Sequence, residues 1–363
     1  MIYLVDTIGE ETGMHLYDEA FVKEMQHIGV NAIAVSNYED SYSIPVLKNF
    51  YRSSKVDKIS MLILSWLKML FFYSRHWREI FVYQSFGLRY IDMLFVLIFF
   101  NKKRLFVIVH DVVEITNGNG QGLGIKYKLQ KWVYRHCVTN VICHSNQSEN
   151  DLKNIINFKG NVIRFPHFRY HFNKNFKLSL VDKTVIDAID KSKTNCLFFG
   201  QLRETKGIDI LKNAIEELRG NNNINIIIAG QDKDDMMNGV TIPNNTKCIL
   251  RRINDDEMSF LFSSCDMVLL PYKEIYQSGV LETVIHFGKY AIMSDCVAFK
   301  EVNDRYPSFG TIYKPNSGYA LAECIKQKAG ENFDYSVEDN RKYDIDHNAE
   351  RLVVEMEKLM HTR

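Results

Sequence analysis

The sequence predicts an α/β protein made of two doubly wound domains, each with a parallel sheet covered by helices on both faces. Short apolar runs alternate with helix-like segments along all 363 residues, which is the pattern of strands buried on both faces. The length suits two domains better than one. A polar, lysine-rich stretch between about Tyr170 and Thr194 contains no such run, and we place the domain boundary there.

The strands are predicted from the apolar runs, which fall into two groups. In the first half the runs are Ile2–Val5, Ala32–Val35, Ile80–Tyr83, Leu105–Val109, Asn140–Cys143 and Asn161–Arg164. In the second half they are Cys196–Phe199, Ile224–Ala229, Cys248–Leu250, Met267–Leu270 and Tyr290–Met293. Apolar residues from Ile208 to Leu218 recur at helical spacing until Gly220 ends the segment. The second half therefore contains a strand–helix–strand unit.

These runs define the predicted domains. An N-terminal domain covers residues 1–175 and a C-terminal domain covers residues 190–330. Residues 331–363 are charged and helix-forming, and we expect helices there, with packing back on the N-terminal domain as one arrangement. Two doubly wound domains that face each other leave a cleft. Ligands of such sheets bind outside the carboxyl ends of the strands, so we look for functional residues at those ends.

Composition narrows the classes of function. The net charge is only +1, so no nucleic-acid partner is expected. The seven cysteines include no Cys-x-x-Cys pair, which argues against a disulfide framework and against a structural zinc site. The first residues are typical of a strand and lack the pattern of a signal peptide. We therefore expect a cytoplasmic protein with reduced thiols.

The first candidate site is the segment Gly200–Gly207, directly after a predicted strand. A glycine ends the strand, Arg203 and Lys206 follow, and a second glycine opens the next helix. Backbone N–H groups at a helix start and nearby cations together favour a phosphate. Arginine grips two phosphate oxygens and lysine supplies a point charge. The alternative is a solvated loop before a helix.

The second candidate site follows the strand Met267–Leu270. Glu274 lies in the loop, Ser278 and Gly279 look like the start of a helix, and Glu282 lies one turn further. The N–H groups at this helix start suit a diphosphate, and the two carboxylates suit sugar and ribose hydroxyls. The alternative is an exposed loop glutamate followed by a glutamate that the helix dipole favours.

Together these residues resemble glycosyltransferase family four, whose members are retaining enzymes of the GT-B fold. The resemblance rests on Arg203 and Lys206 in a Gly-x-Leu…Lys-Gly element and on Glu274 and Glu282 with seven residues between them. The run from Phe287 to Glu301 also matches the family. The resemblance is clear from about Cys196 to Glu301, and the combination of motifs is more specific than either motif alone.

The resemblance implies roles for these residues. Arg203 and Lys206 would neutralise the leaving diphosphate, Glu274 would hold the donor sugar, and Glu282 would bind the ribose. The donor site would further include Gly200, Ser278, Gly279 and Val280. Two departures from the family pattern are Gln201, where an arginine is usual, and the segment 275–279, where Gly-Phe-Gly is usual. The phosphate-facing backbone is therefore expected to begin at Ser278.

In the first half the resemblance adds three residues. His110 ends a strand and would hydrogen-bond the sugar or the acceptor hydroxyl, so we count it with Arg203, Lys206 and Glu274 as a candidate catalytic residue. Gly9 and Gly13 match the glycine-containing loop near the donor phosphates. Without the resemblance, a lone histidine at a strand end is a structural residue and the two glycines are turn residues.

The implied function is transfer of a sugar, with retention, from a UDP- or GDP-linked donor to a saccharide or a polyprenyl-diphosphate-linked acceptor in cell-surface polysaccharide assembly. No metal and no other cofactor is expected, because the cations would neutralise the diphosphate. Two other functions remain open. A sugar-nucleotide epimerase of the same fold would need no acceptor, and a non-catalytic nucleotide-binding subunit would account for Gln201.

The stretch from Lys48 to Arg104 combines 11 basic with 3 acidic residues and many aromatic ones. This composition is typical of contact with an anionic membrane surface, and the alternative is a solvated basic face over core helices. Within it, Ile59–Tyr73 and Leu88–Phe100 are too short to cross a bilayer, and we predict buried helices there, with contact between one of them and a membrane surface as one arrangement. We set aside the glycine-rich segment 118–124, which fits no nucleotide-binding motif. The pair Asp232 and Asp234 suits a metal-bridged diphosphate, but such pairs are common on loops, and the cations Arg203 and Lys206 make a metal unnecessary.

Overall fold

The chain forms two compact units, each built around its own sheet. The computed structural model describes residues 1–9, 14–49, 55–112, 125–170, 172–333 and 336–361. The first unit comprises Met1–Tyr170 and Asp346–Arg363, and the second comprises His171–Ile345. The predicted C-terminal segment 331–363 is therefore divided between the two units.

The first unit contains a seven-stranded sheet in the order β3-β2-β1-β4-β5-β6-β7, with parallel neighbours throughout. Its strands are β1 (Ile2–Val5), β2 (Ala32–Val35), β3 (Ser43–Ile44), β4 (Ile80–Phe86), β5 (Leu105–Asp111), β6 (Asn140–Cys143) and β7 (Asn161–Arg164). Its helices are α1 (Met14–His27), α2 (Lys55–His76), α3 (Tyr90–Val96), α4 (Ile125–His136) and α5 (Asn146–Asp151). The last helix of the chain, α13 (Ala349–His361), also belongs to this unit and packs Leu352 and Met356 into its core.

The second unit contains a six-stranded sheet in the order β10-β9-β8-β11-β12-β13, again with parallel neighbours. Its strands are β8 (Thr194–Phe199), β9 (Ile224–Ala229), β10 (Thr246–Ile249), β11 (Met267–Leu270), β12 (Tyr290–Met293) and β13 (Gly310–Ile312). Its helices are α6 (Lys183–Ile186), α7 (Ile208–Glu217), α8 (Asp255–Ser264), α9 (Gly279–Phe287), α10 (Val297–Arg305), α11 (Gly318–Lys328) and α12 (Val337–Asp346).

Strand order fixes where a ligand can approach each sheet. In the first unit the order reverses between β1 and β4, and in the second it reverses between β8 and β11. The loops that leave the carboxyl ends of two such strands diverge and open a crevice, which is where doubly wound sheets bind ligands. The candidate segments Gly200–Gly207 and Pro271–Glu282 follow β8 and β11, so both lie at the reversal point of the second unit.

The predicted α/β fold with two parallel sheets is confirmed. The apolar runs correspond to strands because most strand residues are buried, as in β9, where all six are, whereas the edge strand β7 buries only one of its four. The two strands that no run predicted, β3 and β13, have two and three residues and are too short to form an apolar run.

One expectation about helices was wrong. We predicted buried helices at Ile59–Tyr73 and Leu88–Phe100, but α2 and the segment around α3 each bury one face and expose large apolar side chains on the other. Among the described residues, no helix is both long and apolar enough to span a membrane.

Candidate active site

At two positions of the loop after β8, the backbone has a conformation that only glycine adopts readily. Gly200 has φ +121° and Gly207 has φ +69°, and an L-residue is strained in both conformations. Between them, residues Glu204–Lys206 form a single 3₁₀ turn. Gly207 then begins α7, whose apolar face, including Ile208 and Leu211, is buried as its helical spacing predicts.

The loop after β8 is joined to the loop after β11. A Cβ atom on Gly207 would lie 2.8 Å from the carbonyl carbon of Pro271 and closer still to its oxygen, so the two backbones touch at a point where only glycine fits. The N–H of Lys273 donates to the carbonyl of Thr205 at 2.9 Å. The two candidate segments therefore form one continuous surface at the carboxyl edge of the sheet.

Lys206 lies on an aromatic ring that the sequence did not single out. Its Nζ is 3.8 Å from the centroid of the Tyr272 ring, in the geometry of a cation–π contact. Tyr272 is fully buried, and its carbonyl accepts from Ser294 Oγ at 2.6 Å and Asn316 Nδ2 at 3.0 Å. The ring thus holds the lysine stem at the reversal point. The sequence feature that could have identified Tyr272 is its position as an aromatic residue directly after the proline that follows the strand.

The start of α9 presents backbone donors to the same surface. Ser278 Oγ accepts from the N–H of Leu281 at 3.2 Å, and the Ser278 carbonyl accepts from the N–H of Glu282. The N–H groups of Gly279 and Val280 have no acceptor in the described part of the chain. A Cβ on Gly200 would lie 3.9 Å from Val280 Cγ2. Open N–H donors at a helix start beside a glycine loop are the elements of an anion site.

Arg203 and Glu274 are placed differently from Lys206. Both side chains are exposed, and neither makes an ion pair or a hydrogen bond within the described part of the chain. Arg203 directly precedes the 3₁₀ turn that carries Lys206. The structure therefore brings Gly200, Lys206 and the start of α9 to one surface, and leaves the other two side chains extended into solvent at its margin.

Glu282 has a partner that the sequence analysis missed. It is 7% exposed, and the Tyr343 O–H of α12 donates a hydrogen bond to its Oε2. Tyr343 is itself buried against Tyr306 and Phe309. We expected the Glu282 carboxylate to face a ribose, but one of its oxygens is engaged by this tyrosine. Tyr343 lies in a charged helix far along the chain, and nothing in its local sequence marks it.

In the first unit, His110 lies near the point where the strand order reverses, and three side chains contact it. Its Nε2 lies 3.0 Å from Gln84 Oε1. Its ring stacks on Phe86 with centroids 4.6 Å apart and meets the edge of Tyr17 at 4.8 Å. Gly9 has φ +66° and closes the loop after β1, where a Cβ would overlap the Asn37 side chain. Gly13 lies outside the described residues.

Two further histidines extend the His110 cluster, and sequence analysis gave them no role. The ring centroids of His110 and His144 are 5.6 Å apart, and those of His144 and His167 are 5.4 Å apart. Burial lowers the pKa of His144 to about 4 and that of His167 to about 3, so both are neutral at pH 7. His144 Nδ1 donates to the Phe165 carbonyl at 2.9 Å, and its Nε2 accepts from Tyr17 at 3.1 Å.

Asp232, one of the two aspartates that sequence analysis set aside, has a structural role. Asp232 accepts from the N–H groups of Met236 and Met237 at 2.7 and 2.9 Å, which fixes the turn after β9. Within the described residues, no group of three or more histidine, cysteine or acidic side chains is placed to hold a metal ion. The segment 118–124 lies outside the described residues.

Comparison with known proteins agrees with this geometry. Residues 183–332 match the family model described as glycosyl transferases group 1, and this range contains both the Gly200–Gly207 loop and the start of α9. No curated protein sequence is similar enough to this chain to be matched. The matched range lies within the second unit, and together with the solved structures described next it supports a glycosyltransferase enzyme.

Solved structures resemble the chain over nearly its whole length. A sucrose-phosphate synthase from Thermosynechococcus elongatus has a TM-score of 0.73 at 13% identity, covering 99% of this chain and 97% of its own. Anabaena HepE in complex with UDP-glucose has a TM-score of 0.63 at 14% identity, with coverage of 99% and 97%. WaaG, a glycosyltransferase involved in lipopolysaccharide biosynthesis, has a TM-score of 0.60 at 14% identity, with coverage of 90% and 90%. The fold is of the GT-B type.

Proposed function

We propose that the enzyme transfers a sugar, with retention, from a UDP- or GDP-linked donor to a saccharide or lipid-linked saccharide in cell-surface polysaccharide biosynthesis. The observation that carries the proposal is the surface formed by Gly200, Lys206 and the open N–H groups of Gly279 and Val280. The UDP-glucose bound to Anabaena HepE supports a nucleotide-sugar donor. The biosynthetic role named for WaaG supports the polysaccharide setting.

The chemistry of this surface is stabilisation of negative charge. When the bond from the sugar to the diphosphate breaks, charge grows on the leaving diphosphate. Lys206, fixed on the Tyr272 ring, and the N–H groups at the start of α9 are oriented before the reaction begins, so little reorganisation is needed. Arg203 is long enough to join them from the margin as a second cation. Losing one such contact costs on the order of 3 kcal/mol in the barrier.

The remaining roles are assigned as follows. Glu274 accepts from hydroxyls of the donor sugar, and Glu282, whose carboxylate is held in place by Tyr343, accepts from the ribose. His110 in the first unit is the proposed partner for a sugar or acceptor hydroxyl, with Gly9 and Gly13 in the loop near the phosphates. No metal takes part in this scheme, because the lysine, the arginine and the backbone donors meet the diphosphate charge.

A matched pair of lysine variants tests the proposed function. Lys206→Ala removes the cation on the Tyr272 ring, and we expect a loss of turnover of about a hundredfold. Lys212→Ala is the control, because Lys212 is a half-buried lysine of the same unit that bonds the Met236 carbonyl. The measurement is release of UDP or GDP with an acceptor present. Near-normal turnover of Lys206→Ala would contradict the assignment, and rearrangement of the donor sugar without an acceptor would favour an epimerase.

Donor choice is tested by binding. A ligand that binds the folded state raises the unfolding temperature by mass action, so a thermal-shift screen with UDP- and GDP-sugars identifies the nucleotide. We expect one nucleotide to stabilise the wild type and to stabilise Lys206→Ala less. Binding of a nucleotide without any turnover would instead support a non-catalytic subunit.

We further propose that the first unit contacts an anionic membrane surface. Exposed apolar side chains of three neighbouring helical segments form what we call the apolar face. In α2 they are Ile59, Ile63, Leu67 and Phe71. Around α3 they are Tyr90, Leu94, Leu97 and Phe100, and in α4 they are Ile125, Leu129 and Trp132. The four α2 residues recur every fourth position, so they share one side of the helix, and they are 51–63% exposed. Trp66 Nε1 bonds the Leu94 carbonyl at 3.0 Å and ties α2 to α3.

Positively charged side chains around the apolar face favour an anionic membrane as its partner. Arg75 lies over the Phe71 ring at 3.8 Å, and Lys126 lies near the Tyr90 ring. Lys102 and Lys103 are exposed just beyond Phe100. An apolar stripe flanked by cations suits a helix that lies in the interface of an anionic bilayer, with its apolar side in the headgroup region.

Vesicle flotation tests this contact. We expect the wild type to float with vesicles that contain anionic phospholipid and to float less with purely zwitterionic vesicles. Phe71→Glu should abolish flotation, whereas Val354→Glu, on an exposed position of α13 in the same unit, should leave it unchanged. Equal behaviour of the two variants would contradict the membrane proposal without affecting the donor site.

A further inference from the structure

A chain of buried polar side chains connects the Gly9 loop to His110. It begins at Asp6, the residue after β1, whose carboxylate accepts from the N–H of Ile8 at 2.8 Å and from the N–H of Gly9 at 2.7 Å. Asp6 is completely buried. Backbone N–H groups can only donate, so Asp6 must act as the acceptor at this end of the chain.

The next member is Asp18 of α1, which is also completely buried and is hydrogen-bonded to Asp6. Burial raises the pKa of both carboxyl groups, and the Asp6 charge raises the pKa of Asp18 further. The two backbone donors and Arg89 act in the opposite direction on Asp6. Because Asp6 is already an acceptor, the shared proton is held by Asp18 and points to Asp6.

The direction of the remaining hydrogen bonds then follows. The proton of Asp18 is directed at Asp6, so its oxygens accept from Tyr38 Oη at 2.7 Å and from Gln84 Nε2 at 2.5 Å. This contact fixes the orientation of the Gln84 amide. Its Oε1 faces His110 Nε2 at 3.0 Å and needs a donor. His110 therefore carries its proton on Nε2, and Nδ1 is its acceptor nitrogen.

We propose that Asp6, Asp18 and Gln84 are positioning residues that keep the His110 proton on Nε2 and tie the orientation of His110 to the Gly9 loop. They act through His110 and do not touch the substrate. We call this chain of hydrogen bonds the relay. Its value for transfer rests on the proposed function, in which His110 faces a sugar or acceptor hydroxyl. The hydrogen-bond directions themselves do not depend on that function.

The test is the tautomer of His110, read from long-range proton–nitrogen correlation spectra of the full chain labelled with ¹⁵N-histidine. His110→Asn identifies the signal. We expect the wild type to show the tautomer with the proton on Nε2. A proton on Nδ1 in the wild type would overturn the proposal, because Nε2 would then need a donor from Gln84 and the Gln84 amide would have to be reversed.

Two pairs of variants test the individual links. Gln84→Leu should lose the tautomer preference, whereas Gln130→Leu, which removes another buried amide of this unit that bonds the Leu88 carbonyl, should keep it. Asp18→Asn retains a donor for Asp6 and an acceptor for Gln84, so it should keep the wild-type signal, whereas Asp18→Leu should lose it. A preference that survives both leucine replacements at 84 and 18 would refute the relay.

Steady-state kinetics of sugar transfer distinguishes failure of the relay proposal from failure of the proposed function. If transfer takes place, Gln84→Leu should lower kcat at least tenfold with little change in the KM of the donor. If no donor is turned over and the wild type still shows the Nε2 tautomer, the relay stands and the proposed function fails. If transfer takes place and kcat is the same in wild type and Gln84→Leu, the positioning role is wrong.

Discussion

Replacing Gly207 with alanine should damage the second unit far more than the same change at Gly220. Both glycines have the left-handed backbone conformation, with φ +69° and +78°. They differ in the space that a methyl group would find. At Gly220 nothing lies within 4 Å, whereas at Gly207 the carbonyl carbon of Pro271 lies 2.8 Å away and its oxygen is nearer. The pair therefore isolates the contact between the two candidate loops.

The expected loss in the free energy of unfolding is the sum of two terms. Alanine in the left-handed conformation costs roughly 1–2 kcal/mol, which applies to both variants. Forcing apart a packed contact adds about 1–3 kcal/mol, which applies only at position 207. We expect Gly220→Ala to lower the free energy of unfolding by about 1 kcal/mol and Gly207→Ala to lower it by about 3 kcal/mol. The difference of about 2 kcal/mol is the contribution of the close approach.

Urea unfolding measures this difference. With a slope of about 2 kcal/mol per molar urea, the two midpoints should differ by about 1 M in circular dichroism. The three tryptophans, Trp66, Trp77 and Trp132, all lie in the first unit, so their fluorescence follows that unit separately. Because Gly207 directly follows Lys206, Gly207→Ala should also weaken nucleotide binding, and Gly220→Ala should not.

Equal midpoints for the two variants would refute this reasoning. That result would mean that the loop after β8 can move away from Pro271 at no cost. The Gly200–Gly207 loop and the start of α9 would then not form a pre-arranged anion site.

Three further predictions follow from named contacts. Tyr343→Phe removes a donor from the buried Glu282 carboxylate, so the free energy of unfolding should fall by about 1–3 kcal/mol, measured by urea unfolding. Ser278→Ala removes the α9 cap and should cost about 1 kcal/mol, with Ser278→Gly costing only a few tenths. His167 has its pKa lowered from 6.5 to about 3, so between these values the unfolded state binds a proton that the folded state does not, and stability falls as pH falls. His167→Gln should flatten that dependence in thermal unfolding between pH 4 and 7.

Each of these has a clear contrary result. Unchanged stability of Tyr343→Phe would mean that the O–H of Tyr343 does not hold Glu282 in solution. Unchanged stability of Ser278→Ala would show that the Ser278 hydroxyl does not cap α9. An unchanged pH dependence in His167→Gln would show that this histidine is protonated in the folded state.

The sheets could be predicted from sequence because their strands are buried on both faces. A run such as Ile224–Ala229 is apolar at most positions, so its strand needs no knowledge of its neighbours. The exposed side of α2 could not be predicted the same way. Its stripe from Ile59 to Phe71 has the composition of a core helix, and only packing shows that one side is uncovered.

The candidate donor site was partly predictable for a similar reason. Lys206, Ser278 and Gly279 lie beside strand ends, where local sequence marks a loop and a helix start. The partners of these residues come from elsewhere: Tyr343 is 61 positions from Glu282, and Gln84 is 66 positions from Asp18. Contacts between residues so far apart in sequence leave no trace in the local pattern of apolar residues, so they can be identified only once the fold is known.

A crystal structure of the enzyme with UDP or GDP would test the central claim most directly. We expect the diphosphate within hydrogen-bond distance of the Gly279 and Val280 N–H groups and beside Lys206 Nζ. A diphosphate bound at any other edge of the second sheet, with the start of α9 left unoccupied, would contradict the account.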